Sequence, residues 1–101
     1  MFRHIVMFKW KDGVTAELEA QIASGLRACA LALSGTLAYE AGTDLGIEPS
    51  PGAIVFDFAL VGDFEDEAAW RAYDSDAEHN RLRSELIRPV IAERAQAQFT
   101  I

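Results

Sequence analysis

Hydrophobic and polar side chains alternate over the first ten residues of the chain. One face of an extended segment carries Phe2, His4, Val6, Phe8 and Trp10, and the other carries Arg3, Ile5, Met7 and Lys9. Because successive side chains of a β-strand point to opposite faces, this pattern predicts a strand over residues 2–10. The first set is the more apolar one, so we expect it to face the core together with His4.

The next segment has apolar residues at every third or fourth position, which is the spacing of one face of an α-helix. They are Val14, Leu18, Ile22, Leu26 or Cys29, and Leu33. Asp12, Gly13 and Thr15 supply turn and cap chemistry, and Glu17 and Glu19 lie in the first turn, where the helix dipole favours negative charge. Ser34 and Gly35 end the pattern, so the sequence predicts a helix over residues 15–33.

Two further strands are predicted in the middle of the chain. Residues 36–47 have strand character, interrupted by Gly42 and Gly46, and the following segment EPSPG is a predicted loop because its two prolines lack a backbone donor. Residues 53–61 read AIVFDFALV, the strongest strand pattern in the chain. Its nearly continuous apolar character indicates that both faces of this strand are covered.

The last third of the chain predicts two helices and a strand. The acidic run DFEDE precedes helical spacing that ends near Asp74, and we interpret the run as a solvated helix start and assign no metal to it. Ser75 and Glu78 form a capping box for a third helix, which Pro89 should kink or shorten. The inner face of that helix would carry His79, Leu82, Leu86 and Val90. Residues 95–101, AQAQFTI, alternate as a final strand.

The predicted order is β-α-β-β-α-α-β, a ferredoxin-like α+β unit with an antiparallel sheet and helices on one face. At 101 residues the chain is expected to form one domain over residues 1–101. The other sheet face is too apolar to remain exposed, because it includes Ile5, Met7, Val55, Ala59 and Val61. We therefore predict a homodimer in which two sheets face each other as a dimeric α/β barrel.

Composition and charge argue against several classes of function. The chain has nine Lys and Arg residues and sixteen Asp and Glu residues, a net charge of −7 that disfavours a nucleic acid partner. No apolar run approaches the about 20 residues that span a bilayer, and no targeting segment is recognised, so we expect no membrane association. The single cysteine, Cys29, cannot form an intrachain disulfide, which fits a reducing compartment and predicts a cytoplasmic protein. We expect its thiol to be buried.

Three segments of the chain resemble the stress-responsive A/B barrel family, also called Dabb, and the resemblance extends over essentially the whole sequence. They are RHIVMFK (Arg3 to Lys9), DFALVGDFEDEAAWRAY (Asp57 to Tyr73) and AEHNRL (Ala77 to Leu82). The resemblance implies a dimeric α+β barrel with a cavity between each sheet and its helices. It implies no single activity, since one fold can host many functions.

The resemblance also suggests functional residues. Family members often read His-Pro-x-His across positions 76–79, of which only His79 is present here. Within the family, olivetolic acid cyclase uses two histidines and a pocket tyrosine for an intramolecular aldol reaction, and these match His4, His79 and Tyr73. By this resemblance His79 would be the general base, His4 an orienting or acid partner, and Tyr73 the group that binds a carbonyl oxygen. A second cyclase tyrosine falls at Leu26, so the cyclase substrate is not carried over.

The residues themselves favour convergence of the two histidines, because the strand pattern directs His4 and the helix pattern directs His79 towards one layer. An imidazole can exchange protons near neutral pH and a phenol can hold an enolate oxygen, chemistry that requires neither a metal nor a cofactor. The structural alternative is that both histidines are hydrogen-bonded core residues. Three functions remain open: binding of a small apolar or aromatic ligand, acid–base catalysis as a cofactor-independent cyclase, lyase or isomerase, and a noncatalytic, stress-associated dimer.

Other candidate residues are interpreted structurally. Asp57 lies in an apolar strand, and Lys9, Arg3 or a backbone donor would satisfy it. Trp10, Trp70 and the phenylalanines are expected in the core, where they make a pocket apolar without making it specific. Related dimeric barrels also include cofactor-free monooxygenases acting on aromatic substrates. This activity stays open as a weaker alternative, because the sequence contains no diagnostic oxygenase motif.

Overall fold

The four strands form one antiparallel sheet. In the computed structural model, which describes residues 1–101, the strands are β1 (Phe2–Trp10), β2 (Thr36–Thr43), β3 (Phe58–Phe64) and β4 (Ile91–Thr100). The helices are α1 (Ala16–Leu31), α2 (Glu67–Asp74) and α3 (Ala77–Leu82), and α3 continues into a π-helical segment, Arg83–Ile87. The strand order in the sheet is β2-β3-β1-β4, with every neighbouring pair antiparallel. This order confirms the predicted ferredoxin-like α+β fold.

Side-chain caps start all three α-helices. Thr15, Asp66 and Asp76 precede α1, α2 and α3, and each side chain accepts a hydrogen bond from a backbone N–H of the first turn. Asp66 belongs to the acidic run DFEDE, so the interpretation of that run as a helix start is confirmed. The predicted capping box is wrong, because Ser75 ends α2 and Asp76 caps α3. The Asp76 carboxylate accepts a hydrogen bond from the His79 N–H at 3.0 Å.

The boundaries of β2 and β3 differ from the prediction. β3 runs from Phe58 to Phe64 instead of residues 53–61, and β2 ends at Thr43 instead of residue 47. At Asp57 the chain turns towards the end of β1, where the Asp57 carboxylate accepts a hydrogen bond from the Trp10 N–H at 2.8 Å. A long-range hydrogen bond therefore fixes the start of β3, which the apolar run of residues 53–56 does not indicate.

The third helix is shorter than its apolar pattern predicts, and the final strand is longer. The π-helical segment closes where the Arg88 N–H donates to the Arg83 carbonyl at 2.9 Å, five residues back. Pro89 follows and ends the helix as predicted, because it has no N–H and its ring clashes with the preceding turn. β4 then starts at Ile91, not at residue 95, and Ile91 pairs with the end of β1. Val90 therefore lies in a turn and not on the helix.

The inner face of the sheet and the helices share one hydrophobic core. Its most deeply buried large side chains are Tyr39, Tyr73, Phe58, Phe64, Ile22 and Leu26. α1 approaches α3 closely at Gly25, because a Cβ at this position would collide with Leu82. This contact holds α3, and with it His79, over the sheet. Cys29 packs against the core but is only partly buried, so the prediction of a buried thiol is correct only in part.

The sheet face away from the helices is apolar and open in the single chain. On β1, β3 and β4 it carries Ile5, Met7, Ala59, Val61, Ala95, Ala97 and Phe99. Met7 is 37% exposed and Phe99 is 48% exposed. Contrary to the prediction, Val55 lies between β2 and β3 and not in β3, but it lines a groove together with Met7 and Ala59. None of the helices has the length and hydropathy that crossing a membrane requires.

Candidate functional site

A cavity of about 290 Å³ lies between the inner face of the sheet and the segment formed by α3 and the π-helix. Its walls include all three residues selected from the sequence: His4 on β1, Tyr73 on α2 and His79 on α3. The remaining walls are partly apolar and include Val6, Phe8, Leu26, Leu60, Ile87 and Ile91. A concave, mainly apolar space with a few convergent polar groups is the usual form of a small-molecule site.

The two histidines are buried beside Tyr73. His4 is 5% exposed and His79 is 4% exposed. The ring centroids of Tyr73 and His79 are 4.1 Å apart, and those of His4 and Tyr73 are 6.3 Å apart. Nδ1 of each imidazole is buried and has no hydrogen-bond partner in the protein. Buried polar atoms are normally paired, so these Nδ1 atoms do not fit the interpretation of both histidines as hydrogen-bonded core residues.

Burial keeps both imidazoles neutral near pH 7. Loss of hydration is the largest influence on His4, and it lowers the pKa of this imidazole from 6.5 to about 4, with Asp74 opposing and Arg94 and Arg83 adding to the shift. Burial likewise lowers the pKa of His79 to about 4, and the nearby Arg83 guanidinium contributes in the same direction. Both side chains can therefore accept a proton or a hydrogen bond at neutral pH.

A second tyrosine, which the sequence reasoning did not select, holds Tyr73 in place. The hydroxyl oxygens of Tyr39 and Tyr73 are 2.6 Å apart, and both side chains are 1% exposed. Burial is the largest cause that raises the pKa of both phenols, so both are protonated at neutral pH. Tyr39 lies on β2 and does not line the cavity, whereas Tyr73 does. If Tyr39 donates to the Tyr73 oxygen, the Tyr73 proton is available to a ligand.

Charged residues form the rest of the cavity wall, and the sequence reasoning missed them. They are Asp74, Arg83, Arg88, Glu93 and Arg94. Arg94 is opposite Phe8 in the ladder between β1 and β4, so it shares the inner face of the sheet with His4. The sequence already indicated this position, because Arg94, Gln96 and Gln98 are spaced two residues apart and so lie on the same face of a strand. Arg94 was not selected because the strand was predicted to start at residue 95.

Arg83 connects the charged wall to α2 and α3. Its guanidinium pairs with the Asp74 carboxylate at 3.2 Å, donates to the Asp74 carbonyl at 2.8 Å and contacts the side-chain oxygen of Asn80. Arg83 Nε is buried without a partner. The π-helical segment begins at this residue, and such segments are often found at functional sites.

The other residues considered from the sequence have structural contacts. Asp57 accepts from a backbone donor, the N–H of Trp10, which is one of the three partners that were predicted. Arg3 instead forms a bidentate ion pair with Asp63, with N···O distances of 2.7 and 2.9 Å. Trp70 stacks on a phenylalanine of β1 with ring centroids 5.6 Å apart and does not line the cavity. These contacts stabilise the sheet and its helix layer.

The family model described as Stress Responsive A/B Barrel Domain matches residues 2–101, and the chain belongs to this family. A dimeric ferredoxin-like protein of unknown function from Thermobifida fusca is 33% identical, with a TM-score of 0.83, over 99% of this chain and 90% of that chain. No curated protein sequence matches the chain.

Two more distant structures share the fold. A Dabb family protein with a ferredoxin-like fold from Mesorhizobium loti is 20% identical, with a TM-score of 0.77, over 99% of this chain and 95% of that chain. The hydroxynitrile lyase from Passiflora edulis is 19% identical, with a TM-score of 0.78, over 99% of this chain and 92% of that chain. At these identities the similarity establishes the fold and not a shared reaction.

Proposed function

We propose that this stress-responsive A/B barrel protein binds a small, largely apolar carbonyl compound in the cavity and moves a proton on it by acid–base chemistry. The observation that carries the proposal is the convergence of two neutral imidazoles and a phenol, those of His4, His79 and Tyr73, on one largely apolar cavity. Ionisable groups with shifted pKa values that meet in such a pocket are typical of binding and active sites.

His79 is the proposed general base. Its neutral imidazole accepts a proton from the carbon next to the ligand carbonyl, and the electrons of the C–H bond form an enolate whose oxygen accepts a hydrogen bond from the Tyr73 hydroxyl. His4 orients the ligand or acts as the acid partner. Return of the proton to another carbon is an isomerisation, and attack of the enolate carbon on a second carbonyl of the same molecule is a cyclisation. The reverse of such carbon–carbon bond formation is a lyase reaction.

Binding without turnover is the second candidate, and the low pKa of the histidines favours it. A general base is most effective when its pKa lies near the working pH, whereas that of His79 is about 4 in the free protein. A neutral imidazole of this kind is fully available at pH 7 but accepts protons only weakly. It can still position a ligand by a hydrogen bond.

Proton exchange on a neutral ketone distinguishes the two candidates. The probe 4-oxononanamide has exchangeable protons beside its ketone, and NMR in D₂O measures their loss while calorimetry measures binding. If His79 is the base, wild-type protein accelerates the exchange and His79→Gln lowers the rate by about 10²-fold or more, with binding retained. Arg27→Gln is the matched control, because Arg27 is an exposed arginine that pairs with Glu40 and does not line the cavity.

Each outcome of this experiment bears on one part of the proposal. Undiminished exchange in a folded His79→Gln protein contradicts the role of His79. Binding of 4-oxononanamide without exchange in the wild type supports the binding function and contradicts the catalytic one. Absence of both binding and exchange contradicts the proposed class of ligand.

The apolar outer face of the sheet is the proposed homodimer interface. Its exposed members include Met7, Val61 and Phe99, and the groove that contains Val55 continues this surface. An apolar patch of this kind favours burial against a second copy, and a self-complementary two-fold interface is the commonest solution. The Thermobifida fusca relative is described as dimeric, which supports the same assembly here.

We expect the protein to act in the cytoplasm. Its single cysteine, Cys29, has no intrachain partner, so the fold requires no oxidising compartment. Fractionation of the native host followed by immunodetection tests this expectation, and recovery of the protein outside the cytoplasm would contradict it.

A further inference from the structure

The charges around the cavity are unbalanced. Two carboxylates line it, and each already has a cationic partner: Asp74 pairs with Arg83 at 3.2 Å and Glu93 pairs with Lys9 at 3.3 Å. The other two charged residues of the wall, Arg88 and Arg94, have no acidic partner. Each guanidinium donates only to a neutral side-chain oxygen, that of Ser84 for Arg88 and that of Gln96 for Arg94, both at 3.2 Å.

Among the arginines, the lack of an acidic partner is specific to the cavity. The chain has sixteen acidic and nine basic residues, so carboxylates are abundant. All the other arginines of the chain form ion pairs, namely Arg3, Arg27, Arg71, Arg81 and Arg83. The two that do not, Arg88 and Arg94, both line the cavity. Both arginines without an acidic partner therefore lie at this one cavity, on a protein whose net charge is −7.

The two arginines reach the cavity from different elements. Arg88 follows the π-helical segment, and Arg94 lies on the inner face of β4 opposite Phe8. Both are exposed, whereas His4 and His79 are almost completely buried. Apolar side chains, among them Phe8 and Ile87, also line the same wall. A ligand would therefore meet guanidinium groups at the solvent side, an apolar wall, and the imidazoles and phenol in the interior.

We propose that the ligand of this cavity is a carbonyl compound that also carries a carboxylate, and that Arg88 and Arg94 bind this carboxylate. The inference rests on the proposed function and names the class of compound more closely. Guanidinium groups recognise carboxylates through charge-assisted hydrogen bonds, which are stronger than bonds between neutral groups. The carboxylate would supply the acidic partner that both arginines lack, while the apolar chain and ketone of the same molecule extend towards the buried residues.

A matched pair of probes tests the inference. 4-Oxononanoate and 4-oxononanamide share the same chain and ketone and differ in whether the end group is charged. Calorimetry with the wild-type protein should give a Kd about tenfold lower for the acid than for the amide, as expected for a charge-assisted contact. This preference should shrink at high ionic strength, because both guanidinium groups are solvent-accessible.

Variants assign the preference to the two arginines. Arg88→Gln and Arg94→Gln should each reduce the preference for the acid, and the double variant should bind the acid and the amide equally. Both residues are exposed, so the substitutions should not prevent folding. Arg27→Gln, which also removes one exposed positive charge, is the control and should keep the full preference.

The outcomes separate this inference from the proposed function. Equal binding of the two probes by the wild type, or a preserved preference in the double variant, overturns the inference. In that case, binding of the amide with exchange of its α-protons leaves the proposed function intact. Absence of binding by both probes overturns both proposals.

Discussion

Acidification from pH 7 to pH 5 should destabilise the protein through His4 and His79. In the folded chain the pKa of each imidazole is lowered from 6.5 to about 4, chiefly by burial. Between these two values the unfolded chain binds more protons than the folded chain, so stability falls as the pH falls. The contribution of the neutral histidines is complete above pH 6.5 and is lost progressively as the pH falls towards about 4.

The size of the effect follows from the difference between the two pKa values. At pH 5 the unfolded histidine is mostly protonated and the folded one mostly neutral, which costs about 2 kcal/mol of unfolding free energy for each residue. Exposures of 5% for His4 and 4% for His79 mean that solvent screens little of this effect. A loss of about 4 kcal/mol from both is a large part of the stability of a small domain, which is of the order of 5–15 kcal/mol.

Urea denaturation at pH 7 and pH 5 measures this loss, with the protomer concentration held constant because association of two copies makes apparent stability depend on concentration. His79→Gln cannot titrate, so the difference between the two pH values should fall to about half that of the wild type, whatever the stability of the variant itself. The Arg3–Asp63 ion pair does not interfere, because it lowers the pKa of the Asp63 carboxyl below 3.8. Equal stability at the two pH values, or an unchanged difference in His79→Gln, would refute this reasoning.

Three further predictions concern the tyrosine pair, the sheet face and the last strand. Tyr73→Phe should lower the free energy of unfolding by about 2 kcal/mol, because the buried Tyr39 hydroxyl loses its only partner. Tyr39→Phe should lower it by about 1 kcal/mol, because the Tyr73 hydroxyl still borders the cavity. If urea denaturation shows that the two losses simply add in the double variant, the two hydroxyls are not coupled. Met7→Asp should convert a dimer to monomer in light scattering, whereas Leu31→Asp, also exposed but on α1, should not. Truncation after Arg94 removes most of β4 and should prevent stable folding, so an unchanged melting temperature would contradict it.

The order of elements could be predicted because local periodicity determines it, but their ends depend on long-range contacts. The alternation around His4 identifies β1 and its inner face without any tertiary information. The apolar run before Phe58 has no such period, and the start of β3 depends on a hydrogen bond between Asp57 and Trp10, which are 47 residues apart. Likewise, only pairing with β1 shows that β4 begins at Ile91.

The candidate site shows the same division. His4, Tyr73 and His79 were accessible through strand and helix periodicity and the family resemblance, since each lies on a regular element that faces the core. Tyr39 was not, because its importance depends on a 2.6 Å contact with Tyr73 across 34 residues. Arg94 was missed because the predicted strand was started at residue 95, although the alternation that places Arg94 on one face with Gln96 and Gln98 is present in the sequence.

The inner face of β4 explains why a cavity exists in this part of the fold. Gln98, Gln96 and Arg94 stand opposite His4, Val6 and Phe8 on that face, so the edge strand presents three polar groups where β1 presents mainly apolar ones. A helix packs on a sheet by burying an apolar stripe against an apolar surface, and a polar strand offers no such surface. No helix packs extensively on β4, and α3 with the π-helical segment instead borders the space above β1. The polar residues on the inner face of β4 therefore leave the cavity open, and one of them, Arg94, places its guanidinium on the cavity wall.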